Sequence, residues 1–241
     1  MMPGNLFCLE LAAAFADRRR LALRVGLSVL LALPFILIDM PAQAQAAGVA
    51  MVILFTGLFG AAVGHARLRE DRRYERLALL PTARGTRWLD LVLASTLSRL
   101  APTVVVLTTF VIIDGRGTAA APLLLLSAML CGSLLLLTLL GMLTARLAHS
   151  NAEVHLFGAL AGGLLAFLSG LTPLPARMAW LAGPMNWNPL SQLHQTLVAC
   201  ATGSARASGP GLAFAALLLA GIATTAVVRW TQGTGSSARR N

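Results

Sequence analysis

The sequence predicts an all-α, polytopic membrane protein. It reads as six transmembrane helices with an N-terminal interfacial helix and a partly re-entrant external hairpin before the last span. Three observations point there. Hydrophobic residues make up 57% of the 241-residue chain and charged residues 12%, with a mean hydropathy of +0.75; an ordinary soluble domain carries about 25% charged residues. The apolar residues run in continuous blocks rather than alternating, and six blocks are long enough to cross ~30 Å of hydrocarbon at ~1.5 Å per residue. The basic residues fall between the blocks, not on one face.

A single transmembrane domain, 1–241, accommodates all of these elements in order. Residues 5–20 read as an interfacial helix: Leu6, Leu9, Ala13 and Ala16 recur at helical spacing, Phe7 and Leu11 flank them, and Arg18–Arg20 close the segment. The spans are placed at 21–38, 46–64, 88–113, 119–143, 152–171 and 210–228. They must be helices, because runs this apolar lack the alternation of a membrane strand. Arg18–Arg20, the apolar run and Ala42-Gln43-Ala44 resemble a secretory signal with a cleavage site. However, ~18 apolar residues exceed the usual ~7–15, so an uncleaved first span is expected.

Orientation follows from arginine. All 19 basic residues are arginine, and no lysine occurs. With the N-terminus inside, Arg18–Arg20 and Arg24, the seven arginines from Arg67 to Arg87, Arg146, and Arg229, Arg239 and Arg240 are cytoplasmic. Only Arg116, Arg177 and Arg206 fall outside. Fifteen against three predicts cytoplasmic termini; the expected location is a bacterial inner membrane. The net charge of +10 therefore reports topology, not nucleic-acid binding.

Two connections stand out. Residues 65–87 form the one sizeable polar cytoplasmic loop. Arg67 to Leu77 reads as a charged helix pairing Arg67 with Asp71, Glu70 with Arg73 and Arg72 with Glu75, and Tyr74, Leu77 and Leu80 share an apolar face until Pro81 breaks it. Loops that serve only orientation need neither interleaved acids nor such a face, so this one is expected to dock a cytoplasmic partner through Glu70, Asp71, Tyr74, Glu75, Leu77 and Pro81. The external hairpin, 172–209, carries four prolines and Trp180 and Trp187 at headgroup level. Asn188-Pro189 is a helix start, asparagine capping and proline opening the first turn, and leads into a short helix over 189–201 bearing His194.

Within the spans, Arg99 is the costly residue. With Ser95, Pro102 and Thr109 it makes one helical stripe, which either lines a cavity or contacts a neighbouring subunit, or else lets the side chain snorkel inward. Glu153, opening span five, is the nearest candidate counter-charge. Gly60-x-x-x-Gly64 and Gly158-x-x-x-Gly162 permit close helix approach.

Chemistry is mostly excluded. Without lysine there is no Walker A site and no Schiff base. Cys8, Cys131 and Cys200 are scattered, and no catalytic or metal-ligand spacing occurs.

Three stretches in order then resemble the permease subunits of type-2 ABC exporters. The first runs from Glu70 through Glu75-Arg76-Leu77-Ala78-Leu79-Leu80-Pro81-Thr82-Ala83-Arg84, a charged loop ending in leucines, a proline and a basic residue. The second is Gly141 to Ser150-Asn151-Ala152-Glu153. The third is Ser169-Gly170-Leu171-Thr172-Pro173-Leu174-Pro175 followed by Asn188-Pro189-Leu190-Ser191. The family often carries Gly-Thr where this chain has Arg72-Arg73. The resemblance implies a transport subunit, not an enzyme, with no cofactor of its own. ATP and Mg would bind a separate ABC ATPase subunit, a second permease copy would complete a homodimer or heterodimer, and the pathway would lie at the dimer seam near spans two and five. A close variant is the haem-exporter-like membrane subunit of cytochrome c maturation, which the N-terminal Leu6-Phe7-Cys8-Leu9-Glu10-Leu11 and Leu79-Leu80-Pro81 resemble. A non-ATP carrier or a membrane enzyme is the competing class.

Overall fold

The computed structural model describes residues 6–71, 84–114, 120–172, 180, 182–185 and 188–203. The described residues are helical throughout. The elements are α1 (Leu6–Ala16), α2 (Arg18–Leu37), α3 (Ala42–Glu70), α4 (Arg84–Asp114), α5 (Ala120–Leu147), α6 (Asn151–Leu168), the single turn α7 (Ala182–Met185) and α8 (Pro189–Thr202). Five of them, α2 to α6, are long and apolar enough to cross a membrane. This is the architecture of a multi-pass membrane protein. The sixth expected span, 210–228, lies outside the described residues, as do Tyr74, Glu75, Leu77 and Pro81 of the polar loop.

α3 is the central helix. It packs against α2, α4, α5, α6 and α8, and its closest neighbour is α5. That closeness has a local cause at Gly141 of α5. A Cβ there would stand 2.4 Å from the Leu58 carbonyl oxygen and 2.7 Å from the Ala61 Cβ, so only glycine lets the two backbones meet. On the other side, Gly158 of α6 seats the Phe59 ring and Gly162 lies in ordinary contact with the Leu54 and Leu58 side chains. The outward faces are leucine-rich: Leu23, Leu27 and Leu30 on α2, and Leu156, Leu160 and Leu164 on α6, are all more than half exposed. In a bilayer these meet hydrocarbon, so their exposure carries no water penalty.

The main core lies toward the α3 N-terminal half, where Val49, Ile53 and Leu54 meet Phe110, Met129, Leu130 and the α8 leucines Leu190, Leu193 and Leu197. α8 is thus an inserted packing element. Asn188 starts it as expected: its side-chain oxygen accepts from the Leu190 N–H at 3.0 Å, while its Nδ2 donates to Ser169 Oγ at 2.8 Å. Gly203, in the left-handed region at φ 67°, closes it.

Several expectations need correcting. The interfacial helix ends at Ala16, and Arg18–Arg20 open α2 instead of closing α1, because the Asp17 side chain caps α2 by accepting from the Arg20 N–H. Of the apolar stripe expected on α1, Leu6 is buried against the bundle, while Leu9, Ala13 and Ala16 are exposed. α3 continues four residues earlier than 46 and runs on to Glu70, so the charged helix expected over Arg67 to Leu77 is interrupted: Arg67–Glu70 complete α3 and Asp71 is its C-cap.

Candidate functional site

α1 and α2 begin, α3 ends, α4 begins, α5 ends and α6 begins at one end of the bundle. Arginine concentrates there, and two arrangements follow.

The first is a tie between α3 and the α5–α6 turn. Arg69 Nη1 donates to the carbonyl oxygens of Ala148 at 2.6 Å and Ala145 at 3.3 Å, satisfying carbonyls that the end of α5 leaves without helical partners. One residue on, Glu70 Oε1 accepts from Asn151 Nδ2 at 2.5 Å. The turn itself is fixed by a capping box. Ser150 Oγ accepts from the Glu153 N–H at 3.3 Å, and Glu153 Oε2 accepts from the His149 N–H at 2.8 Å. Glu153 is therefore a cap facing water, not the counter-charge of Arg99. Glu70 engages the neighbouring hairpin; Arg73, its expected partner, lies outside the described residues.

The second is a basic cavity between α2, α3 and α4. Arg99 stands at the midpoint of α4 and its guanidinium runs back one turn, Nη1 donating to the Ser95 carbonyl and hydroxyl. Side chains of a helix lean toward its N-terminus, which here is the arginine-rich end. The cavity-lining and snorkelling readings of Arg99 thus describe one conformation. Gly60 and Gly64 of α3 make room for it: a Cβ on Gly60 would stand 3.1 Å from Arg99 Nε, and one on Gly64 would stand 3.4 Å from Nη2. This glycine pair seats a side chain, unlike Gly141, which meets the backbone of the neighbouring helix. Arg99 Nε is buried with no hydrogen-bond partner. Pro102 lines the same cavity, but Thr109, the last residue of the expected stripe, bonds its own helix at the Val105 carbonyl.

Above Arg99 the cavity opens to about 490 Å³, with Arg20, Arg24 and Arg67 on its wall and Asp71 at its edge. It adjoins a smaller space of about 210 Å³ under α1, lined by Glu10, Asp17 and His65. Arg20 is held by Asp17 at 2.8 Å. Arg24, Arg67 and Arg99 show no carboxylate at ion-pair distance among the described residues. In the sequence Arg20, Arg24 and Arg67 read only as topology signals, and Arg99 alone is expected at a cavity. The signal that could have found them is the spacing Arg20, Arg24, Leu27, Leu31, a helix face that changes from basic to apolar in successive turns.

At the opposite end, His194 Nε2 donates to the Gln43 carbonyl at 3.4 Å, tying α8 to the start of α3. Burial lowers the His194 pKa, and that hydrogen bond partly opposes the shift. Pro189 sits at the first turn of α8. Among the described residues no group of histidines, cysteines and carboxylates could hold a metal ion. No family model, curated protein or solved structure matches this chain.

Proposed function

We propose that this chain is the transmembrane permease subunit of an ATP-driven ABC exporter, with both termini in the bacterial cytoplasm. It would work as a homodimer or heterodimer with a separate ABC ATPase that holds ATP and Mg. The observation that best supports this is the double tie of Arg69 and Glu70 to the α5–α6 turn. A force delivered by a partner at Glu70 and Asp71 acts on α3, the central helix, and on the α5–α6 hairpin together. It would displace a block of helices rather than bend one loop. A loop with no mechanical task has no use for such bracing. The absence of lysine, which a Walker A loop would need, supports a motor on another polypeptide. The short buried α8 suits a re-entrant hairpin before a sixth span, since non-spanning helix at membrane depth must be covered by protein.

The test is co-purification of the tagged full chain from its native membrane. An ABC ATPase is expected to accompany it and to be lost on combined reversal of Glu70, Asp71 and Glu75 to lysine, with membrane insertion unchanged. Uphill transport by vesicles containing this chain alone, driven by an ion gradient, would overturn the reading and favour a carrier.

A further inference from the structure

We propose that the cavity between α2, α3 and α4 binds the phosphoryl headgroup of an acidic phospholipid, entered sideways from the leaflet at the arginine-rich end. The inference requires a membrane but not an ATPase, so it stands apart from the transport reading.

Arg20, Arg24, Arg67 and Arg99 line one space together with Asp71; Arg20, Arg24 and Arg99 also line the adjoining space under α1, where Glu10, Asp17 and His65 stand. One of the four, Arg20, is already matched by Asp17. Arg24 and Arg67 are exposed and, like Arg99, have no carboxylate at ion-pair distance among the described residues, which leaves the cavity wall basic. Like charges gathered on one wall favour an anion between them. Arg99 adds a buried Nε–H with no partner among the described residues. Planar guanidinium forks match phosphoryl oxygens in geometry as well as charge.

The remaining walls select an amphiphile. Along α2 the cavity is lined by Arg20 and Arg24, then Ser28, then Leu27 and Leu31, with Phe55 and Thr56 facing them from α3. Ser28 Oγ and Thr56 Oγ1 lie 3.4 Å apart where the basic part gives way to the apolar part. That order suits a phosphodiester, then ester carbonyls, then an acyl chain. Leu27 and Leu31 are more than half exposed and Phe55 is 43% exposed, so the apolar side opens outward instead of closing into the core. A free phosphate would leave that side empty. Basic pockets between transmembrane helices at the leaflet surface are a known physical solution for acidic headgroups.

Native mass spectrometry of the full chain in neutral detergent tests this, with phosphatidylglycerol and phosphatidylcholine of equal chain length added in turn. Phosphatidylglycerol should be retained at least ~10-fold more tightly. The double variant Arg24→Gln/Arg67→Gln should erase that preference, while Arg18→Gln/Arg19→Gln, equal in charge but outside the cavity, should keep it. Leu27→Trp, which fills the apolar side and spares every arginine, should also weaken phosphatidylglycerol. Equal retention of the two lipids overturns the proposal, as does equal loss in both arginine pairs, which would mean general surface charge. Displacement of the lipid by inorganic phosphate at matching concentration would show a site for the free ion and overturn it too.

Discussion

The two ends of the same helices are built on opposite terms. Around α8, α3 meets its neighbours through Val49, Ile53, Leu54, Leu190, Leu193 and Leu197, all nearly or fully buried, and the one exposed histidine contact is a bond to backbone. Around Arg99, the same α3 presents Gly60 and Gly64, and the space they leave holds a guanidinium and a basic cavity. One end is filled and the other is left open. The difference teaches that a glycine pair has no fixed meaning along a membrane helix. What fills the notch decides whether it brings helices together or makes a site. A closely packed end is also what allows the other end to be open, since α3 and α5 must be held in register by contacts elsewhere.

The largest expected effect comes from separating α3 from α5, whose close contact at Gly141 lies at the level of Gly60. Gly141→Val places a side chain against the Leu58 carbonyl, which is backbone and cannot step aside. A cost at or above about 3 kcal/mol is expected, with loss of monodisperse protein on size exclusion in detergent. Gly163→Val, on the open face of α6 with no neighbouring atoms, should be tolerated. If both behave alike, close approach at Gly141 is not what joins the helices.

The next contrast is between a core leucine and a cavity arginine. Leu193→Ala should cost about 2–5 kcal/mol, read as a lower thermal midpoint, because Leu193 is fully buried among three helices. Arg24→Gln, exposed and without a carboxylate partner among the described residues, should leave that midpoint unchanged or raise it by relieving repulsion on Arg99. A large loss from Arg24→Gln would mean that the open end is structural. Smaller still, Asn188→Ala removes the α8 cap and the bond to Ser169, and should cost about 1–2 kcal/mol. Asn188→Asp should recover the cap but not the donated bond, separating the two.

What the sequence made legible divides along the same line. The five described spans lie close to their hydrophobic blocks, and the Asn188-Pro189 start is exact, because apolar length and caps are local properties. α3 was underestimated at both ends. Gln43 and Gln45 lower its hydropathy without ending its helix, and Arg67–Glu70 are polar yet continue it because Arg69 and Glu70 find partners on another hairpin. The cavity was legible only through Arg99, for which a cavity-lining stripe with Ser95 and Pro102 is one reading. Arg20, Arg24 and Arg67 come from two other helices, and their convergence on it is a tertiary fact, whereas in the sequence each explains itself as an orientation charge. Glu153 was misassigned for the converse reason: it looked like the nearest carboxylate in the chain, while its capping box engaged it locally. Ser150-x-x-Glu153 is a readable pattern and could have signalled this.

The smallest expected effect concerns pH at the filled end. His194 lies outside the five long apolar helices, and burial holds its pKa below the usual 6.5, so the folded protein favours the neutral ring. The sign follows from proton counting. Below about 6.5 the unfolded chain takes up a proton that the folded protein resists, so this contribution is complete above that pH and is lost as pH falls toward the folded pKa. The thermal midpoint of the wild type should therefore drop more between pH 7 and pH 5 than that of His194→Gln, whose amide can still donate toward the Gln43 carbonyl without titrating. The difference between the two curves isolates this ring from every other titrating group. Parallel curves would show that α8 is held by its leucines alone. A His194→Gln curve that falls more steeply than wild type would reverse the sign and mean that the charged ring is the one the fold prefers.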